Sequence, residues 1–136
     1  MTTAVGDSAL RAVAEGALRR AYAPYSTFRV GAALLCDDGD VVPGCNVENA
    51  SYPSGCCAER GALFAAVVSG HREFSHLLII TEAVVPTPPC GMCRQALVEF
   101  APLLKITCVT VSGAEARWSL AELLPHPFTP LSLHHT

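Results

Sequence analysis

Charge is scarce in this 136-residue chain. Asp, Glu, Lys and Arg make up 15% of it, and the acidic residues leave a net charge of -3. No basic cluster is present, so a polyanionic partner such as DNA or RNA is not expected. Long apolar runs are missing as well. Nothing approaches the ~20 residues needed to cross a bilayer, so no membrane partner is expected. Within the first thirty residues Arg11, Glu15, Arg19 and Arg20 interrupt any run of signal-peptide length. A cytoplasmic location is the default expectation. Repeats, linkers and low-complexity tracts are also lacking, and residues 1–136 are expected to form a single domain.

Apolar residues, by contrast, are abundant. They make up 51% of the chain, which argues against disorder. A chain this long can bury roughly two-thirds of its unfolded surface. Leu10, Val13, Ala14, Ala17, Leu18 and Ala21 form one helical stripe, with Asp7 or Ser8 as the N-cap and Pro24 as the stop. Phe28 to Cys36 and Val41 to Val47, joined by Asp37-Asp38-Gly39, read as a β-hairpin. Pro43 assigns the second arm to an edge or a bulge. A polar loop leads to a helix from Cys57 to Ser69. It is apolar nearly all round, so it is expected to be buried on most sides, and Gly70 is its stop. His76 to Thr81 reads as a buried strand. After Pro86, Pro88 and Pro89 come a helix from Gly91 to about Ala101, halted by Pro102, and a strand from Ile106 to Val111. Ala114 to Trp118 adds a short strand, and Ser119 to Leu124 a turn or two of helix. Strands alternating with helices predict an α/β fold, a three-layer α/β/α arrangement whose mixed sheet has about five strands.

Seven cysteines without an export signal point to free thiols or to metal. Cys36 and Cys108 lie inside strands and, with Cys45, read as small buried hydrophobes. Cys57, Cys90 and Cys93 open helices after loops, where a helix N-terminus favours a thiolate. Cys90 and Cys93 are three apart and share a helix face. Three thiolates leave one corner of a tetrahedral zinc site open for water. Glu59, two residues past Cys57, is placed to move protons rather than to bind metal. Redox chemistry by Cys90-x-x-Cys93 alone is a competing reading. Structural zinc closed by Cys56 is another, although adjacent residues rarely both reach one small ion. The third cysteine and its glutamate favour the open site over both. His71, His76, His126, His134 and His135 show no ligand spacing with the cysteines and are assigned to surface or structure. Trp118 reads as a core or interface residue.

A ligand, one residue, a glutamate and, much later, Pro-Cys-x-x-Cys is the signature of zinc deaminases that act on nucleobases. Further blocks are more specific: Tyr22 to Ser26, Phe28 with Val30 to Ala33, Gly44 to Tyr52, Cys57 to Arg60, and Pro89 to Gln95. With these the chain resembles a cytidine deaminase of the small, homotetrameric, three-cysteine type. The resemblance implies zinc held by Cys57, Cys90 and Cys93, and Glu59 as proton shuttle. It implies Asn46 and Glu48 on the ribose hydroxyls, Phe28 against the pyrimidine, and the Ala58 backbone at its carbonyl edge. Tyr52 and Phe128 would close pockets shared between subunits. Arg60, from its own chemistry and its place next to Glu59, is assigned to support the thiolates by donating hydrogen bonds. The implied reaction is deamination of cytidine and deoxycytidine, as in pyrimidine salvage. The alternative is a modified cytosine nucleoside such as blasticidin S. The chain departs from the family pattern at Pro53 to Cys56 and at Gly61, both beside the pocket.

Overall fold

Alternation along the strands decides the layering. A computed structural model describes residues 6–134. In β1 (Val30–Cys36), Ala32, Leu34 and Cys36 belong to one buried cluster, and Ala33 between them belongs to another. In β3 (Phe74–Thr81), Leu77 and Ile79 join the first cluster, Leu78 and Ile80 the second. A strand that turns successive side chains to opposite faces must be covered on both. The first helix, α1 (Asp7–Leu18), covers one face with Leu10, Ala14 and Leu18. On the other face lie α2 (Ala58–Val68) and α3 (Gly91–Val98), contributing Ala62, Leu63, Ala66 and Leu97. Trp118 packs, partly buried, against this larger cluster.

The sheet is mixed and five-stranded. With β2 (Val41–Cys45), β4 (Lys105–Thr110) and β5 (Glu115–Ser119), its order is β2-β1-β3-β4-β5. Among the strands of the described residues, only β3 and β4 run parallel. The hairpin and its edge strand match the sequence reading, with Pro43 opposite Ala33 on β2. After β5, Ser119 caps the short α4 (Leu120–Leu123) in a capping box with Glu122.

Three expectations need correction. First, α1 has Gly6 as its N-cap, with Asp7 in its first turn, and it ends at Leu18 rather than running to Pro24. Tyr22 must be extended, because its N–H donates to the Asn46 carbonyl and its own carbonyl accepts from the Glu48 N–H. Second, α3 stops at Val98, and Phe100 then tightens the chain by donating to the Leu97 carbonyl three residues back. Third, α2 buries only one stripe. Phe64 is 53% exposed and Val68 85%, so its second apolar face is uncovered in a single chain. His135 lies outside the described residues.

Two glycines let helices sit directly on the sheet. A Cβ on Gly31 would stand 2.1 Å from the Ala14 carbonyl oxygen of α1, and one on Gly44 2.2 Å from that of Ala58 in α2. Gly61, inside α2, is different. Its nearest obstacle to a Cβ is the Cys45 carbonyl oxygen at 3.5 Å, an ordinary contact. Gly61→Ala is therefore expected to stabilise the protein by about 0.5–1 kcal/mol through lost unfolded-state entropy. Urea denaturation measures this, and a lower midpoint would show that the position needs its glycine.

Candidate active site at two helix N-termini

Both halves of the cysteine signature sit where a helix begins. Cys57 is the N-cap of α2 and Cys90 that of α3, and neither side chain is spent on capping the helix amides. Cys93 follows in the first turn of α3 and is fully buried. The three sulfurs lie within 4.8 Å of one another. Those of Cys57 and Cys90 are 3.9 Å apart, and no disulfide is formed. Tetrahedral zinc with ~2.3 Å bonds to sulfur separates its thiolates by about 3.8 Å. The donor set therefore fits zinc in both chemistry and spacing. Cys56 is not part of the cluster, so it does not close the fourth corner. Cys36 and Cys108 are buried in the core as expected, and Cys45 is half-buried.

Charge around the sulfurs is asymmetric. Arg60 Nη2 donates to Cys57 Sγ at 3.5 Å, while its buried Nε has no partner among the described residues. The Cys57 thiol is pulled down to about 5, first by its hydrogen bond with Cys93 and then by Arg60. That of Cys93 is pushed up by its bond to Cys57 and by burial. The Cys57 sulfur thus ionises ahead of that of Cys93 even without metal. Zinc with three thiolates would carry a net charge of -1. The N-termini of α2 and α3, about half a positive charge each, and the Arg60 guanidinium offset it.

Glu59 is 5% exposed. Burial raises its carboxyl above the ordinary range, and the Cys57 charge adds to this. It opens into a cavity of ≈ 240 Å³ that it shares with Phe28, Ala58, Cys57 and Cys90. Thr81 and Thr87 line the same space, and nothing in their sequence spacing marks them. A larger hollow of ≈ 450 Å³ adjoins it, walled by Tyr25, Tyr52 and Arg60. Asn46 and Glu48 border both. The chemistry belongs in the smaller cavity, because the larger one does not reach Glu59.

Asn46 and Glu48 are also occupied in a way the sequence did not signal. Asn46 Oδ1 accepts from the Val30 N–H at 2.9 Å, and its Nδ2 donates to the Phe28 carbonyl at 2.7 Å. Glu48 Oε1 accepts from the Tyr25 and Ser26 N–H groups at 3.0 Å each, and Oε2 accepts from the Ser26 hydroxyl. These bonds hold the Glu48 carboxyl below its usual range, with the Ser26 hydroxyl foremost. Both side chains therefore position the segment that carries Phe28. Tyr52 meets Tyr25 with ring centroids 6.1 Å apart. Phe128 borders neither cavity. It is tied by its backbone to the Gln95 side chain, whose Nε2 donates to the Phe128 carbonyl at 2.7 Å. Arg94 anchors the Pro89-Cys90 loop, its Nε donating to the Pro89 carbonyl and its Nη1 to that of Leu123.

A buried carboxylate beside three convergent thiols at an open cavity defines a class, the metal-dependent hydrolases. A sequence model described as cytidine and deoxycytidylate deaminase zinc-binding region matches residues 6–110. Cytidine deaminase of Halalkalibacterium halodurans is 46% identical over 110 residues, covering 80% of this chain and 83% of the relative. That of Sporosarcina psychrophila is 40% identical over 127 residues, 93% of each. The crystal structure of cytidine deaminase from Burkholderia pseudomallei superposes with a TM-score of 0.88 at 44% identity, covering 91% of this chain and all of that one. The chain belongs to the cytidine and deoxycytidylate deaminase family, and zinc is its metal.

Proposed function

We propose that this chain deaminates cytidine and deoxycytidine by hydrolysis, giving uridine and deoxyuridine with release of ammonia. The observation that carries this is the buried Glu59 carboxylate opening into the same small cavity as Cys57 and Cys90. Cys57, Cys90 and Cys93 hold the zinc. Bound there, the metal supplies a Lewis acid that makes water nucleophilic near neutral pH. Glu59 takes a proton from the attacking water and delivers it to ring N3 as the C4–O bond forms. It then moves the second proton to the amino group, the C4–N bond breaks, and ammonia leaves. A carboxyl raised by burial suits both halves of that exchange.

Phe28 packs on the pyrimidine, and the Ala58 backbone faces its carbonyl edge. The sugar lies towards Asn46 and Glu48, on the border with the larger hollow. An ionised Glu48 accepts from hydroxyls, and the Asn46 amide both donates and accepts. Arg60 steadies the thiolates. The relatives are named as cytidine deaminases, and the modified-nucleoside alternative is not favoured.

The working enzyme is a homotetramer in which Tyr52 and Phe128 close sites shared between subunits. The uncovered stripe of Phe64 and Val68, and the 76% exposure of Tyr52, support this reading. It acts in the cytoplasm, in pyrimidine salvage, as one domain. Among the described residues no helix is long and apolar enough to cross a membrane, and the acidic balance speaks against a nucleic-acid partner. Zinc-loaded protein offered cytidine, deoxycytidine and blasticidin S should release ammonia from the first two only. Bound zinc with no ammonia from any nucleoside would mean a metal-stabilised binding protein instead.

A further inference from the structure

We propose that Cys36, Asp38 and His71 form a second site for a divalent transition metal, at the end of α2 opposite the thiol cluster. Cys36 closes β1, Asp38 sits in the β1–β2 turn, and His71 follows α2. An 11-residue helix, about 16 Å long, separates this cluster from the cavity at Cys57. His71 has no ligand spacing with any cysteine along the chain, yet the fold gathers one ligand atom from each of the three residues within 4.8 Å.

The competing reading is a histidine simply ion-paired between two aspartates. Distances favour the metal. His71 Nδ1 is 3.5 Å from Asp38 Oδ2, longer than the 2.7–3.2 Å of an N–H···O bond. Zinc bonds of ~2.0–2.2 Å to nitrogen and oxygen place those atoms about 3.4 Å apart in a tetrahedron. The outer contacts are also those of a metal site. His71 Nε2 faces Asp40 Oδ2 at 3.2 Å, where an outer carboxylate orients a ligating imidazole. Asp38 Oδ1 accepts from the Asp40 N–H at 3.0 Å, which leaves Oδ2 turned to the ring. Backbone bonds hold the site together, Asp37 N–H donating to the Glu73 carbonyl at 3.1 Å, which ties the turn to the chain after α2, and Cys36 N–H to that of Asp40 at 2.8 Å, which closes the turn itself.

Electrostatics agree with the geometry. Asp37, Asp38 and Asp40 stand close enough to Cys36 to add negative charge there, which a dication offsets. One sulfur, one imidazole nitrogen and one carboxylate oxygen suit zinc or cobalt rather than magnesium or calcium. Bound there, the ion clasps the hairpin turn to the far end of the helix whose start carries Cys57 and Glu59. It stabilises the fold by mass action.

Full-length protein equilibrated with micromolar zinc, desalted and assayed for metal should hold two ions per chain, and His71→Ala one. Asp40→Asn should weaken the second ion 10–100-fold, as loss of an outer partner does. Cobalt titrated into protein carrying one zinc per chain, at the thiol cluster, should give a single-thiolate charge-transfer band that His71→Ala weakens. Cys90→Ser should lose the first ion and keep the second, so failure of the catalytic reading and failure of this one are told apart. Turnover by His71→Ala with one zinc should stay at the wild-type level. One ion per wild-type chain overturns the proposal, as does a second ion indifferent to His71→Ala, which would be an adventitious ion only.

Discussion

Glu59→Gln is expected to keep one zinc at the thiol cluster and to lose cytidine turnover by at least 10²–10⁴-fold, the usual contribution of a positioned acid–base group. The same carboxylate handles two proton transfers, which places the loss at the upper end or beyond. Glutamine has the shape of glutamate and no charge, so it should fit the 5%-exposed position. It also removes a buried carboxylate whose ionised form burial disfavours. The melting temperature should therefore equal or exceed that of the parent. Retained zinc, retained or higher stability and lost kcat together separate a chemical role from a structural one. Turnover within tenfold of the parent would remove Glu59 from the mechanism. Loss of zinc would instead show that the carboxylate helps to hold the metal.

Local patterns were legible where they were continuous or periodic. The long apolar run at Phe28 to Cys36 and the short β-branched run at His76 to Thr81 located β1 and β3. The three-residue spacing of Cys90 and Cys93 put both on one turn of α3, where the structure has them. What could not be read depends on partners distant in sequence. Tyr22 ends α1 early because it pairs with the chain around Val47, 25 positions on. Ser26 carried no signal of its role beyond its place in the Tyr22 to Ser26 block, since that role lies in a bond to Glu48. The pattern of α2 was right and its meaning incomplete: an apolar helix implies two covered faces, but one chain supplies cover for only one. His71 reaches Cys36 only because a hairpin turn and a helix end are brought together.

Gly44→Ala should damage the fold and the site at once. Gly44 pairs with Ala32 across the hairpin, and its missing side chain faces α2. A methyl group there would stand 2.2 Å from the Ala58 carbonyl oxygen, 2.5 Å from the Ala62 nitrogen and 2.9 Å from the Ala62 Cβ. All three belong to helix backbone or to its first side-chain atom, so no rotamer change relieves the clash. Either α2 lifts from the sheet or β2 shifts. Overpacking of this kind costs about 3 kcal/mol, or roughly 10 °C in melting temperature for a chain of this length. The first turn of α2 carries Cys57, Ala58 and Glu59, so lifting it misplaces a thiolate and the proton shuttle together. Zinc affinity and kcat should fall with stability. Gly31→Ala is the control. Its methyl would strike α1 equally hard, 2.1 Å from the Ala14 oxygen and 2.7 Å from the Leu18 nitrogen, on the face of the sheet away from the thiols. Its folded fraction should keep zinc and activity despite a similar loss of stability. If both variants lost zinc and activity in proportion to stability alone, the seat of α2 on Gly44 would have no special hold on the site. If Gly44→Ala melted and turned over like the parent, the close approach of helix and strand would not exist in solution.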